Sequence, residues 1–281
     1  MSRWKSSTVL TVSAVAMLGL TACGPQDAAT ETKKEPTVLE LLASDAKGSI
    51  QKTATTIGSA TSITFTMDGK GEGEPIKGSG FAILGTDRKA EMTLEDPKEG
   101  PTTVRIIGSA MYVGISAAEQ AEFDGKKWLK MDAGMAGQEG TEAMSSMLDN
   151  IDPGQSLKPV LTAETVTVVG EETVNGAKTV HYTATVPSTA YVAATTDAKA
   201  REALEKELTK LGVKEVKVDL WVDEQYQLRR FRAYLNDAND ITADYTEYNK
   251  ALTVDVPPAA ETADFAEMMK GLADALKDLE G

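Results

Sequence analysis

Five consecutive residues near the start of the chain, Leu20-Thr21-Ala22-Cys23-Gly24, carry the most specific chemistry in the sequence. A leucine, two small residues, a cysteine and a further small residue make a bacterial lipobox. The small side chains let the backbone lie in a signal peptidase cleft, with Leu20, Thr21 and Ala22 as its recognition residues, and the Cys23 thiol accepts a diacylglycerol thioether. What precedes the motif suits it. Arg3 and Lys5 form a basic n-region, and an apolar run follows from Val9 to Leu20 with no acidic residue. That run is shorter than the roughly 20 apolar residues a membrane span requires and matches the apolar segment of a signal peptide. Cys23 is the only cysteine, so the chain makes no internal disulfide. The expectation is export, cleavage before Cys23 and anchorage on the extracytoplasmic side of the cell membrane. Two or three acyl chains, palmitate among them, hold such a protein firmly, where one would hold it only marginally.

Elsewhere the catalytic repertoire is thin. His181 is the single histidine, so Ser-His-Asp and Cys-His arrangements and the usual zinc ligand sets lack their parts. It falls on the Thr179/His181/Thr183/Thr185 face of a strand, read as a solvated face. Asp237-Ala238-Asn239-Asp240 lacks the glycine and distal glutamate of a calcium loop and reads as a hairpin turn. Gly71, Gly73, Gly78 and Gly80 precede no Lys-Ser/Thr pair, so they make no phosphate loop. The 43 acidic residues mark out no glycosidase pair. No enzyme activity, cofactor or metal is expected.

Methionine is the remaining signal, with 11 in the chain. Its unbranched, polarizable side chain suits surfaces that adapt to apolar ligands, and it also serves as core filler. Met111, Met131, Met144 and Met147 are the candidates for a ligand-binding wall. Aromatic residues are few, which points to an aliphatic ligand.

These residues need elements to position them. Loss of residues 1–22 removes two positive charges and no negative one, taking the net charge from −14 to about −16. Such a charge argues against nucleic acid and against attraction to anionic headgroups. Residues 23–36 read as the lipidated cysteine and a polar tether, and 37–281 as a single domain. A helix is predicted over about 38–57, ending near Gly58. Period-two alternation then predicts strands at about 62–68, 76–84, 88–95, 102–107, 110–116 and 126–131. Helices at about 144–151 and 155–163 follow, then strands 165–171 and 178–186 joined through Asn175-Gly176, a strong hairpin signal. A helix over 197–211, strands at 216–223, 228–235 and 241–248, and an amphipathic C-terminal helix over 261–279 complete the chain. The fold class is α+β: one large curved antiparallel β-sheet, a half-barrel, with helices packed on its concave face.

The order of these pieces resembles the LppX/LprG-type lipoproteins of actinobacteria, and more distantly the LolA/LolB lipoprotein carriers. The resemblance runs through the lipobox, the tether and Lys127-Trp128-Leu129-Lys130. It continues in Gly170…Val174-Asn175-Gly176…Thr179-Val180-His181-Tyr182 and Val218-Asp219-Leu220-Trp221-Val222-Asp223. It closes with Asp244-Tyr245 and Val254-Asp255-Val256-Pro257-Pro258. It implies an apolar cavity that binds acylated lipid or glycolipid, in a carrier or chaperone of the cell envelope, with no catalytic motif. The long acidic C-terminal helix is no part of it. A monomeric carrier with a hydrophobic lipid ligand is one reading; an interaction or sensory lipoprotein that regulates an envelope partner without a ligand is another, and an envelope hydrolase a third.

Overall fold

The computed structural model describes residues 36–195 and 197–280. The signal segment, Leu20, Thr21, Ala22, Cys23 and almost all of the tether lie outside the described residues.

The first predicted helix is two: α1 (Val38–Ser44) and α2 (Ala46–Gly58). Thr37 and Glu40 close a capping box on α1. Asp45 then leaves helical geometry at φ −135°, ψ 81°, and its carboxylate accepts the Gly48 N–H at 2.9 Å. A short acidic side chain satisfies the orphan N–H groups of a helix start, so Asp45 restarts the helix inside a stripe that reads as continuous. Leu39, Leu42, Ile50 and Ile57 carry the stripe into the core.

Alternating apolar residues build β1 (Ser62–Gly71), β2 (Glu74–Ile83), β3 (Lys89–Asp96), β4 (Gly100–Ile107), β5 (Ala110–Gly114) and β6 (Trp128–Asp132). The helices α3 (Gly137–Ile151) and α4 (Pro153–Leu161) come next. After them run β7 (Val166–Val174), β8 (Ala177–Pro187), α5 (Ser188–Ala193), α6 (Ala198–Lys210), β9 (Glu215–Asp223), β10 (Leu228–Asn236) and β11 (Asn239–Tyr248). A three-residue β12 (Thr262–Asp264) leads into α7 (Phe265–Glu280). The C-terminal helix therefore begins at Phe265 and not at 261, because Asp264 caps the Ala266 N–H at 2.9 Å while residues 262–264 pair with β6.

All twelve strands form one sheet in the order β12-β6-β5-β4-β3-β2-β1-β11-β10-β9-β8-β7. Every pairing is antiparallel except β12 with β6, and β1 joins the two halves by pairing with β11. At the far edge β7 shifts register between Val168 and Gly170. Helices α1 to α6 contribute to the core on one face of this sheet, which is the expected α+β class. In β9 the expected alternation holds there: Val216, Val218, Leu220 and Val222 are all 1% exposed or less. The Tyr182 hydroxyl donates to the Leu42 carbonyl at 2.9 Å, tying α1 to β8.

Asn175 (φ 49°) and Gly176 (φ 81°) turn the β7–β8 hairpin, as their dipeptide predicts. A Cβ at Gly176 would meet nothing within 4 Å, so its requirement is one of backbone conformation alone. Gly176→Ala is expected to cost about 1 kcal/mol, read as a lower denaturation midpoint with an unchanged slope. An unchanged midpoint would remove the turn from the determinants of stability.

The opposite face is less solvated than its polar residues suggest. His181 is 13% exposed in its side chain and stacks on Trp221 with ring centroids 4.1 Å apart. Its Nδ1 lies 2.9 Å from Glu172 and its Nε2 3.3 Å from Asp219. His181, Trp221, Arg230 and Asp244 form one row across four neighbouring strands. Large planar side chains on adjacent strands shield one another, which is why a face of polar residues is half-closed to water. Arg230 and Asn175 hydrogen-bond Asp244; against the burial that raises it, they hold its carboxyl below the usual range.

Candidate functional site

A cavity of about 430 Å³ lies between helices α3, α4, α5 and α6 and strands β1, β9, β10 and β11, within the roughly 300–1,000 Å³ typical of ligand pockets. Its floor is the helix-covered face of the sheet: Met67, Val216, Phe231, Ala233, Leu235 and Ile241. Strand alternation aims them the same way, and Ala233 sits directly opposite Ile241. Its wall on α6 is Ala200, Leu204 and Leu208, four residues apart and therefore on one helical face. Tyr191 of α5, Pro159 of α4 and Ala194 close the sides. Space remains because Ala194, Ala200 and Ala233 stand where larger side chains would fill the layer.

The mouth is polar, with Ser146, Asp149, Asn150, Gln155, Thr195 and Asp197. Arg88 donates to Asp149 at 2.7 Å, and the Asp197 carboxylate accepts the Ala200 N–H at 2.7 Å, capping α6. Burial alone pushes the Tyr191 phenol up to about 12, so it is a neutral hydrogen-bonding group in any physiological medium. The histidine is on the other face of the sheet, and no group of His, Cys, Asp and Glu among the described residues is placed to hold a metal. The arrangement can sequester an apolar chain.

A larger hollow of about 550 Å³ lies where β7 begins and β8 ends. Thr162, Thr165, Thr167, Thr183, Thr185, Glu164 and Glu215 line it. Ala184, Pro187 and Ala190 share that wall, but its seven hydroxyl and carboxylate side chains hold water better than an acyl chain, so the smaller and more apolar cavity is the candidate site.

The methionines singled out by the sequence lie elsewhere. Met144 is buried in α3 and Met147 packs partly buried against the core. Met111 and Met131 sit opposite each other on β5 and β6, four and five strands from β1. The methionine on the cavity wall is Met67. Tyr191 escapes a sequence reading because α5 has only six residues, too few for a periodicity, and its N-cap, Pro187, offers no side-chain cap.

No family model matches the chain. It is 26% identical over 180 residues to a 31.2 kDa protein of Streptomyces griseus encoded between rplA and rplJ, covering 61% of this chain and 59% of that one. It is also 26% identical over 172 residues to a protein of Streptomyces coelicolor that carries the provisional name of a lipoprotein, covering 59% of this chain and 52% of that one. The chain thus spans between half and three fifths of these relatives. Among solved structures, LprF from Mycobacterium bovis superposes with a TM-score of 0.52 at 12% identity, over 76% of this chain and 97% of that one. The lipoprotein LppX from Mycobacterium tuberculosis gives 0.49 at 13% identity, over 74% and 97%. The chain has the fold of LprF, in line with the resemblance its motifs suggest.

Proposed function

We propose that this chain is an exported lipoprotein, anchored at the cell membrane through acylated Cys23, that holds an acylated lipid in the cavity beneath α4, α5 and α6 and carries it within the cell envelope. The observation that carries this reading is an apolar cavity enclosed between helices and one face of an LprF-like sheet. Each methylene moved there from water contributes about 0.8 kcal/mol, so affinity needs no charged contact. The Streptomyces coelicolor relative's name supports the anchor.

Native mass spectrometry of the mature chain from a lipid-containing bacterium tests the cargo. A reproducible added mass that disappears on organic extraction is expected; protein that stays unoccupied after incubation with envelope lipids overturns the carrier reading. The anchor has its own test. Cys23→Ala is expected to abolish incorporation of labelled palmitate and release the protein from the membrane fraction, and continued labelling would refute acylation at Cys23.

One feature favours a second reading, a partner-binding lipoprotein. On α7, Phe265, Met268, Met269, Leu272 and Leu276 form one stripe and are 36–55% exposed, an apolar surface of the kind that marks contact sites.

A further inference from the structure

We propose that the exposed apolar stripe of α7 is a self-pairing surface, and that its occupant is α7 of a second copy of this chain, in a reversible two-fold dimer. This gives the partner-binding reading its partner and rests on it; the carrier reading is independent of it.

Spacing is the first observation. Phe265, Met269, Leu272 and Leu276 follow one another at steps of four, three and four residues, and Leu279 adds a step of three in the sequence. Alternating steps of four and three keep one seam of a helix turned toward another helix. A helix that covers a sheet presents a broader apolar face. Beside the seam, Ala266 and Ala275 are short enough for a second backbone to come close, since the side chains at a contact set the distance between helix axes. The domain leaves this seam unused. α7 meets β6 and β12, next to its own first residues, while the stripe stays 36–55% exposed.

Charge is the second observation. The positions flanking a coiled-coil seam ordinarily carry the charges that select a partner. In α7 those positions include Ala266, Met268 and Ala275, so two copies of an acidic chain meet there without like charges opposed. Glu267, Lys270 and Asp274 fall on the opposite side of the helix. A helix that lies in a bilayer surface is rich in Lys and Arg on its polar face. α7 has Glu267, Asp274, Asp278 and Glu280 against Lys270 and Lys277, which disfavours anionic headgroups. A two-fold contact needs a patch complementary to itself, and an uncharged seam is one. A helix of 16 residues is about 24 Å long. One such pair is small beside the roughly 1,200–2,000 Å² of stable complexes, so the dimer exchanges with monomer.

Sedimentation equilibrium tests the pairing on the chain from residue 24 onward, which keeps the compact unit of 36–281 and has no cysteine. A concentration-dependent monomer–dimer equilibrium is expected. Leu272→Glu is expected to raise its dissociation constant about tenfold or more. Leu272 is 55% exposed, so the melting temperature should stay within a few degrees of the parent. Val256→Glu, at a site 59% exposed and outside α7, is expected to leave the association unchanged. Leu272 lies near the middle of the seam and therefore near its own copy in either helix direction. Leu272→Cys is thus expected to give a disulfide-linked dimer on mild oxidation, and Val256→Cys is not. A monomer at every concentration, or a dimer that Leu272→Glu leaves intact, overturns the inference. A monomer that instead floats with dioleoylphosphatidylcholine vesicles, and ceases to float as Leu272→Glu, overturns the second copy as occupant and keeps α7 as a contact surface. No effect of Leu272→Glu on either self-association or flotation overturns both.

Discussion

Asp223→Ala is expected to lower the stability of the fold by about 3–5 kcal/mol, the cost of stripping the partner from a buried charge. Asp223 ends β9 and is 2% exposed. One carboxylate oxygen accepts the Gln225 and Gln227 N–H groups, each at 2.9 Å, and the other binds Arg229 Nε. These bonds hold the β9–β10 turn, in which Tyr226 takes the left-handed conformation at φ 58°. Alanine would leave two amides without acceptors and Arg229, 18% exposed, beside an apolar core without its anion. For a domain of this size each kcal/mol moves the melting temperature by roughly 2–4 °C. Scanning calorimetry should therefore show a fall on the order of 10 °C, and Asp223→Asn, which keeps an amide acceptor but no charge, a smaller one. A fall of under about 2 °C for the alanine variant would show that Arg229 is adequately held by Gln227 and the Thr246 carbonyl alone.

Ala200→Trp is expected to reduce bound lipid at least tenfold without unfolding the protein. Ala200 is the first of the three α6 residues on the cavity wall, one turn before Leu204. An indole projected from it occupies the chamber that an acyl chain would need. Tryptophan costs a helix only about 0.5 kcal/mol relative to alanine, and the cavity spares it the overpacking penalty that a filled core would impose. Loss of the added mass in native spectra, with a melting temperature within a few degrees of the parent, is the expected pair of results. Undiminished cargo in the variant would move the binding site elsewhere, the threonine-lined hollow near β7 being the next place to look.

Much of this architecture can be read from the chain. Alternation locates β9 and β10 to within a residue or two, and Asn175-Gly176 marks its hairpin because both residues tolerate positive φ. Local patterns fail where a single residue changes the geometry, as Asp45 does between α1 and α2. They fail again where an element is too short for a period to show, as in α5 and β12. The solvated face assigned to His181 is half-covered because its shield, Trp221, comes from another strand. The cavity is the least legible feature. It is a space between residues spread from Met67 to Ile241, and three alanines open it as much as any large side chain shapes it. A search for methionine stripes looks for what fills a layer, and so passes over the place where filling stops.

An open sheet ends in two strands whose outer N–H and C=O groups invite another chain to pair. This one offers poor templates at both ends. β12 is three residues long, and β7 breaks its register between Val168 and Gly170 before presenting Glu171 and Glu172. Growth by strand addition would stall at either border. Copies brought together at high local density could therefore sit side by side without polymerising into fibrils.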